Sequence, residues 1–192
     1  METDYYYIQE RLQLIREYYA EGQYYSGIQE GVVVKSNLTS SALKEKFFCN
    51  ICKLLSLGYR KLQKYQSALS IIEEALLFSN QMKTKTKNTK WIVESATLHV
   101  NKGIILECLS NSQDALKEYR IAEYVFQQQK DYYHLSQLYQ TIILACLSIN
   151  MITEAEFYLD KLKNLSICSN LNNINIIEIL SDKIKESKNE NC

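Results

Sequence analysis

The sequence contains no proline and only five glycines among its 192 residues. Proline and glycine supply most of the special backbone conformations on which tight turns depend. Their scarcity argues against an all-β fold with many turns and favours long helices joined by short connections. The apolar residues agree, because they recur at helical spacing, as at Ile8, Leu12, Ile15 and Tyr19.

The sequence also lacks a net charge, since 22 Lys and Arg residues balance 22 Asp and Glu residues. A neutral chain produces no long-range field, so the composition suggests neither nucleic acid nor an anionic membrane as a partner. No apolar run reaches the roughly 18 residues that a membrane helix needs. The first residues do not form a basic start followed by an apolar segment, as a secretory signal does. We therefore expect a cytoplasmic protein with reduced thiols.

Sequence motifs for catalysis are missing as well. There is neither a glycine-rich phosphate loop nor a nucleophile elbow. Cys49 and Cys52 form a C-x-x-C pair, but a zinc site needs two further ligands at similar spacing. A redox site of the thioredoxin type needs a βαβ setting, which the helical pattern does not provide. We expect no catalytic residues, no metal and no cofactor, and we expect the cysteines to pack as small core residues.

The helical pattern divides the chain into nine predicted helices. Eight pair as hairpins and the ninth caps the C-terminal end, so residues 1–192 are expected to form one domain. The longest break, 82–90, is polar and carries four lysines, and we expect a flexible basic loop there. Residues 186–192 are expected to be a frayed tail. The predicted helices are 4–20, 24–36, 41–62, 65–80, 90–109, 112–129, 132–149, 153–167 and 172–187.

Small residues recur near the start of every second predicted helix. These anchors are Gly27, Ala68, Ala115 and Ala155, which follow one another at intervals of 41, 47 and 40 residues. A small side chain lets two helix axes approach to about 8–9 Å. The anchors therefore predict close helix-to-helix contact that repeats along the chain.

This pattern resembles the tetratricopeptide repeat (TPR), and the resemblance covers nearly the whole chain. It implies an all-α fold, a right-handed superhelix of about four TPR-like helical hairpins plus a C-terminal capping helix. The sequence departs from the family in its missing prolines and in periods longer than the usual repeat of about 34 residues. The segment that matches best carries Leu55, Tyr59, Tyr65, Ala68, Ile72 and Ala75 at signature positions.

Long, proline-poor repeats of this kind are also similar to the C-terminal domains of the Rap–Rgg–NprR–PlcR–PrgX peptide-pheromone receptors. In that family, asparagines on inner helices grip the backbone of a short signalling peptide, and Asn101 is the first residue to which we transfer this role. The sequence departs from that family because no helix-turn-helix DNA-binding domain precedes the repeats. The chain is then expected to be either the isolated sensor portion of a receptor or a protein that acts only by contact, without direct binding to nucleic acid.

The resemblance implies a concave groove lined by one face of the first helix of each hairpin. Transferring that face position by position gives mostly polar residues, whose amides could pair with the backbone of an extended peptide. The alternative is an ordinary solvated helix face. The groove-facing candidates are Gln9, Gln13, Arg16, Asn50, Lys53, Arg60, Lys61, Thr97, Asn101, Ile104, Gln137, Gln140, Thr141 and Leu144. The partner-binding residues predicted from this set are Asn50, Lys53, Arg60, Thr97, Asn101, Gln137, Gln140 and Thr141.

Two functions follow as hypotheses. The first is a non-catalytic module that binds a short peptide or protein segment, as a peptide-sensing regulatory domain of the quorum-sensing type does. The second is a structural scaffold or a subunit of a homo-oligomer. Exposed tyrosines motivate the second hypothesis, because tyrosine is enriched at protein interfaces, and the candidates are Tyr5, Tyr6, Tyr7, Tyr132 and Tyr133.

Overall fold

Nine α-helices make up the computed structural model of the chain, which describes residues 2–169 and 173–189. No strand occurs within those residues. The helices begin and end close to the predicted positions, with the exceptions described below. They are α1 (Glu2–Ala20), α2 (Tyr24–Ser36), α3 (Ser41–Lys61), α4 (Tyr65–Thr86), α5 (Lys90–Cys108), α6 (Ser112–Gln128), α7 (Tyr132–Ser148), α8 (Ile152–Ser169) and α9 (Ile174–Asn189).

The helices form an α-solenoid with two layers. Each helix packs against the next along the chain, and the odd-numbered helices also contact one another in the pairs α1–α3, α3–α5, α5–α7 and α7–α9. Within the described residues, no two even-numbered helices bring their backbones this close, and they meet through side chains alone, as Glu123 of α6 and Lys161 of α8 do. The odd-numbered helices therefore line the inner side of the solenoid and the even-numbered helices its outer side. This confirms the predicted all-α, TPR-like solenoid, whereas its right-handedness stays a prediction.

Five of the short connections share one turn geometry, which explains how the chain turns with so little glycine. Each contains a residue with positive φ, of which only the first is glycine: Gly22, Gln63, Ser110, Lys130 and Asn150. The next residue donates its backbone N–H to the carbonyl five positions back, at 2.7–2.9 Å. This bond caps the preceding helix in the manner of a Schellman motif.

The expected loop at 82–90 is mostly helical, which corrects our prediction. Helix α4 continues to Thr86, and only residues 87–89 connect it to α5. Met82 is buried in the same core cluster as Trp91, and the Thr86 hydroxyl donates to the Met82 carbonyl at 2.8 Å. At the other end of the chain, α9 continues to Asn189, so the expected fraying from 186 is not seen there. Residues 190–192 lie outside the described residues.

The four small anchors are buried, as predicted. Ala68, Ala115 and Ala155 have no exposed surface, and Gly27 is also buried. Gly27 lies directly against the ring of Tyr19, whose hydroxyl donates to the Leu54 carbonyl at 3.0 Å. Close contact at Gly27 therefore joins α2 to α1, and the hydroxyl of Tyr19 joins α1 to α3.

The paired cysteines are core residues. Cys49 and Cys52 are buried free thiols, and burial raises the pKa of both to about 12. The Cys49 thiol lies 3.9 Å from the Ala75 carbonyl on the neighbouring helix. Such thiols remain protonated at neutral pH, and thiolate is the form that attacks disulfides or binds metals. The pair therefore packs α3 against α4.

A cluster of charged residues fixes α5 between its two outer neighbours. The Glu118 carboxylate of α6 lies 2.5 Å from His99 Nδ1 and 3.1 Å from Lys102 Nζ, both on α5. Lys102 also reaches Glu73 of α4 at 3.4 Å. Burial alone would raise the pKa of Glu118, but hydrogen bonds from His99 and Lys102 outweigh it and lower the pKa.

Glu118→Gln is expected to reduce the free energy of unfolding at pH 7 by about 1 kcal/mol. Because the pKa of Glu118 is lower in the folded state, its stabilising effect is complete above its ordinary value of 4.5 and is lost as the pH falls through the folded value. Urea unfolding of wild type and variant at pH 7 and pH 3 measures the loss of stability and its disappearance at low pH. Glu156→Gln is the control, because Glu156 forms an exposed ion pair with Lys188. Equal losses for the two variants at pH 7 would contradict the prediction.

Candidate functional site

A cavity of about 410 Å³ opens between α5 and α7 on the inner side of the solenoid. Its volume falls within the range of roughly 300–1,000 Å³ that is usual for ligand pockets. Five of the eight predicted partner-binding residues line it, together with the groove-facing candidates Ile104 and Leu144. The groove-facing candidates Gln9, Gln13, Arg16 and Lys61 do not line it. The lining residues are Thr97, Val100, Asn101, Ile104, Phe126, His134, Gln137, Leu138, Gln140, Thr141 and Leu144.

The apolar lining combines rigid and accessible side chains. Leu138 and Phe126 are each 1% exposed and belong to the main hydrophobic core. Leu144, in contrast, leaves 45% of its surface exposed. The cavity thus offers apolar contact area that water covers in the free protein, which is what an apolar ligand group displaces.

Each polar side chain of the cavity is held by the preceding turn of its own helix. On α5, Asn101 Nδ2 donates to the Thr97 carbonyl at 2.9 Å, and Thr97 Oγ1 donates to the Val93 carbonyl at 3.1 Å. On α7, Gln137 Nε2 donates to the Tyr133 hydroxyl at 3.0 Å, and Thr141 Oγ1 donates to the Gln137 carbonyl at 3.0 Å. None of these bonds crosses from α5 to α7, so they orient the side chains without closing the cavity.

The amides keep spare hydrogen-bonding capacity. An amide group offers two N–H donors and an oxygen with two acceptor positions. In the described part of the chain, the side-chain oxygens of Asn101, Gln137 and Gln140 accept no hydrogen bond, and each amide nitrogen keeps a second N–H. These free donors and acceptors can bind a ligand that carries both N–H and C=O groups.

His134 also lines the cavity, although it is not among the site residues predicted from the sequence. Its Nδ1 lies 2.7 Å from Asp131 Oδ2, and its ring stacks on Phe126 with centroids 5.1 Å apart. The spacing of His134, Gln137 and Thr141 places all three on one face of α7. Extending the predicted face by one turn would therefore have found it. Val100, Phe126 and Leu138 were missed because apolar residues at helical spacing look like core in a sequence.

Three predicted site residues do not line this cavity. Lys53 of α3 forms an ion pair with Glu94 of α5 at 2.9 Å. Arg60 lies near the Glu107 carboxyl, where burial raises the pKa of Glu107 and the positive charge of Arg60 opposes that shift. Asn50 is half-buried on α3. The cations of α3 thus face carboxylates of α5 and not the cavity between α5 and α7.

Neither a metal centre nor a membrane segment appears in the described ranges. No three His, Cys, Asp or Glu side chains come together there in a way that could hold a metal ion. None of the helices described is long and apolar enough to cross a membrane.

Solved structures resemble this fold closely, although the sequences are distant. Aspartyl phosphate phosphatase F from Bacillus subtilis superposes with a TM-score of 0.71 at 16% identity, over 94% of this chain and 48% of its own. The Rap conjugation gene regulator of plasmid pLS20, in complex with the Phr* peptide, gives 0.67 at 12% identity, over 94% of this chain and 53% of its own.

A third similar structure carries the repeat description itself. A kinesin light chain protein from Podospora anserina, with nearly identical TPR-like repeats, gives a TM-score of 0.61 at 10% identity, and the superposition covers 96% of each chain. The fold is of the TPR type. No protein-family model matches the sequence, and neither does any curated protein. This chain spans about half the length of the two Rap-type structures, and at these identities the likeness concerns the fold.

Proposed function

We propose that this chain is a non-catalytic binding module that takes a short peptide, or an extended segment of a protein, into the cavity between α5 and α7. One observation carries the proposal. Five polar side chains, transferred from repeat-equivalent positions in the sequence, line a single open cavity: Thr97, Asn101, Gln137, Gln140 and Thr141. Their amides are oriented by their own helices and retain acceptors and donors for a peptide backbone.

The similar structures support a regulatory role without deciding it. One of them is described in complex with a peptide, which is the occupant that we propose here. Another is named a phosphatase, but the cavity of this chain is lined by no Asp, Glu, Lys or Arg. Phosphoryl transfer depends on charged groups or metal ions placed around the reacting phosphate. We therefore propose that this cavity serves recognition. We further propose that the protein acts in the cytoplasm as a sensor of a peptide.

The proposal is tested by passing a pool of synthetic peptides over the immobilised protein and identifying those that it retains. The pool has a mixed core of five residues drawn from Gly, Ala, Val, Leu, Ile, Phe, Ser, Thr, Asn and Gln. We expect wild type to retain a subset of peptides, and Asn101→Ala with Gln140→Ala to reduce their affinity about tenfold or more, since each lost hydrogen bond leaves a peptide group unpaired. Thr141→Trp is expected to fill the cavity and to abolish binding. Mass spectrometry of the eluted peptides gives the readout.

Gln29→Ala is the matched control, because Gln29 is an exposed amide on α2, outside the cavity. Equal retention by wild type, Thr141→Trp and Gln29→Ala would place binding elsewhere and would overturn the proposal. Retention of no peptide, combined with self-association in light scattering, would instead favour the scaffold hypothesis, for which exposed Tyr6 and Tyr133 remain candidates.

A further inference from the structure

The face of α5 that carries the cavity residues Thr97 and Asn101 continues toward the N-terminal end of the helix, and we call it the α5 stripe. Lys90, Glu94, Thr97 and Asn101 follow one another at intervals of four, three and four residues, which places them on one face of the helix. At a rise of 1.5 Å per residue, Lys90 lies about 10 Å along the axis from Thr97. An extended peptide advances about 3.3 Å per residue. A ligand seated at Thr97 and running along this stripe therefore reaches Lys90 after about three residues.

The stripe changes from neutral to cationic in that direction. The lining of the cavity contains no Lys, Arg, Asp or Glu, and its His134 faces the Asp131 carboxylate. On the N-terminal side of the cavity, the Glu94 carboxylate forms an ion pair with Lys53 at 2.9 Å. The Lys90 ammonium lies over the Trp91 ring, 4.6 Å from its centroid, and no carboxylate within the described residues is at ion-pair distance from it. The N-terminal end of the stripe thus carries the positive charge of Lys90, which no carboxylate of the described residues neutralises.

The lysines that precede Lys90 extend this positive charge. The 19 residues from Ala75 to Val93 contain four lysines and no acidic residue. Lys83, Lys85 and Lys87 are exposed at the end of α4, and none of them has an ion-pair partner in the part of the chain that the structure describes. In a protein with a net charge of zero, these residues form a local cationic rim around the start of α5, about two helical turns before Thr97.

We infer that the ligand is a peptide with an uncharged segment for the cavity and at least one acidic residue about three positions away, which pairs with Lys90 and Lys87. This inference rests on the proposed function. In the bound peptide, the acidic residue lies near the start of α5 and away from the start of α7, where the Asp131 carboxylate would repel it. The cavity favours a peptide over nucleic acid, because a polynucleotide carries a phosphate at every step and the cavity lining has no Lys or Arg to neutralise it.

Matched peptide pools test the inference. Both pools carry the same uncharged five-residue cores, flanked at either end by Asp-Glu-Asp in one pool and by the isosteric Asn-Gln-Asn in the other. We expect wild type to prefer the acidic pool at low salt and to lose that preference at high salt. Lys87→Gln with Lys90→Gln is expected to remove the preference, with a loss of about two- to fivefold for each exposed ion pair. Lys183→Gln, an exposed lysine on α9, should retain it.

The outcomes separate this inference from the proposed function. Equal retention of both pools by wild type, with loss of both in Thr141→Trp, would overturn the acidic ligand and leave the peptide-binding cavity standing. A preference for the acidic pool that Lys183→Gln weakens as much as the double variant would also overturn it, because net charge would then explain the effect. Retention of neither pool would overturn both proposals.

Discussion

Replacing Gly103 with alanine is expected to lower the free energy of unfolding by about 1–3 kcal/mol, the usual cost of overpacking a core. The intrinsic preferences of the two residues point the other way, since alanine favours a helix interior by about 1 kcal/mol over glycine. Gly103 lies in the middle of α5, so the propensity gain applies in full. The expected sign of the effect therefore depends on which term is larger at this position.

The packing around Gly103 indicates that the cost of the steric clash exceeds the gain in helix propensity. A Cβ atom there would approach three atoms of the Tyr119 ring, with Cδ1 at 2.8 Å and Cζ at 2.9 Å. Real Cβ atoms do not come so close, so the ring must shift. Tyr119 has no exposed surface and is one of the largest fully buried side chains. A rigid aromatic ring in a close-packed interior has no alternative rotamer to adopt without displacing its neighbours.

Urea unfolding of Gly103→Ala, Gly31→Ala and a double variant tests this explanation. A Cβ at Gly31 would meet Leu55 Cδ2 at 2.7 Å, and the end of a leucine side chain can move aside, so Gly31→Ala should cost less. Combining Gly103→Ala with Tyr119→Leu should show a favourable coupling of at least about 1 kcal/mol, because the clash is then absent. A stabilised Gly103→Ala would contradict the prediction and show that the ring yields easily.

Most of the fold could be predicted because small residues and apolar periodicity are local signals. Ala68, Ala115 and Ala155 indicated close helix contact in the sequence, and all three are fully buried. The reason for glycine at positions 58 and 103 could not be predicted. In both cases, a tyrosine from another helix fills the space beside the glycine, Tyr19 at Gly58 and Tyr119 at Gly103, and a sequence does not show which ring meets which glycine.

In the candidate site too, local spacing could be predicted from the sequence, whereas contacts between distant side chains could not. Helical spacing was enough to select Asn101 and Gln140, because neighbouring inner helices present equivalent faces. Spacing could not show that Lys53 would meet Glu94 across two helices at 2.9 Å. Long charged side chains find partners through tertiary packing, so a face that is polar in the sequence can be closed in the structure. The basic segment before Lys90 was misjudged for a related reason, since its polar composition concealed the buried Met82.

The second large effect is expected at the joint between the last two hairpins, where Lys161→Met should cost about 2–4 kcal/mol. Glu123 of α6 is 7% exposed, and Lys161 of α8 lies 2.7 Å from its Oε1. The Tyr158 hydroxyl donates to Oε2 at 3.1 Å, and Gln127 Nε2 donates to Oε1 at 3.1 Å. Removing the lysine leaves a buried carboxylate with neutral donors alone, and breaking buried pairs of this kind costs about 3–5 kcal/mol. Because Lys161 is about a third exposed, water compensates part of that loss.

A double variant distinguishes the uncompensated charge from lost packing. Glu123→Gln with Lys161→Met removes both charges, while the amide oxygen still accepts from the Tyr158 hydroxyl, so most of the lost stability should return. Lys163→Met is the control, because Lys163 forms an exposed pair with Asp160 at 3.2 Å on the same helix and should change stability by less than about 0.5 kcal/mol. If Lys161→Met costs no more than Lys163→Met, Glu123 is solvated in solution and the joint does not depend on this pair. If instead the double variant is as unstable as Lys161→Met, the lysine stabilises the joint through contacts of its ammonium with the rings of Phe157 and Tyr158, 4.7 and 4.9 Å away, and the carboxylate is incidental.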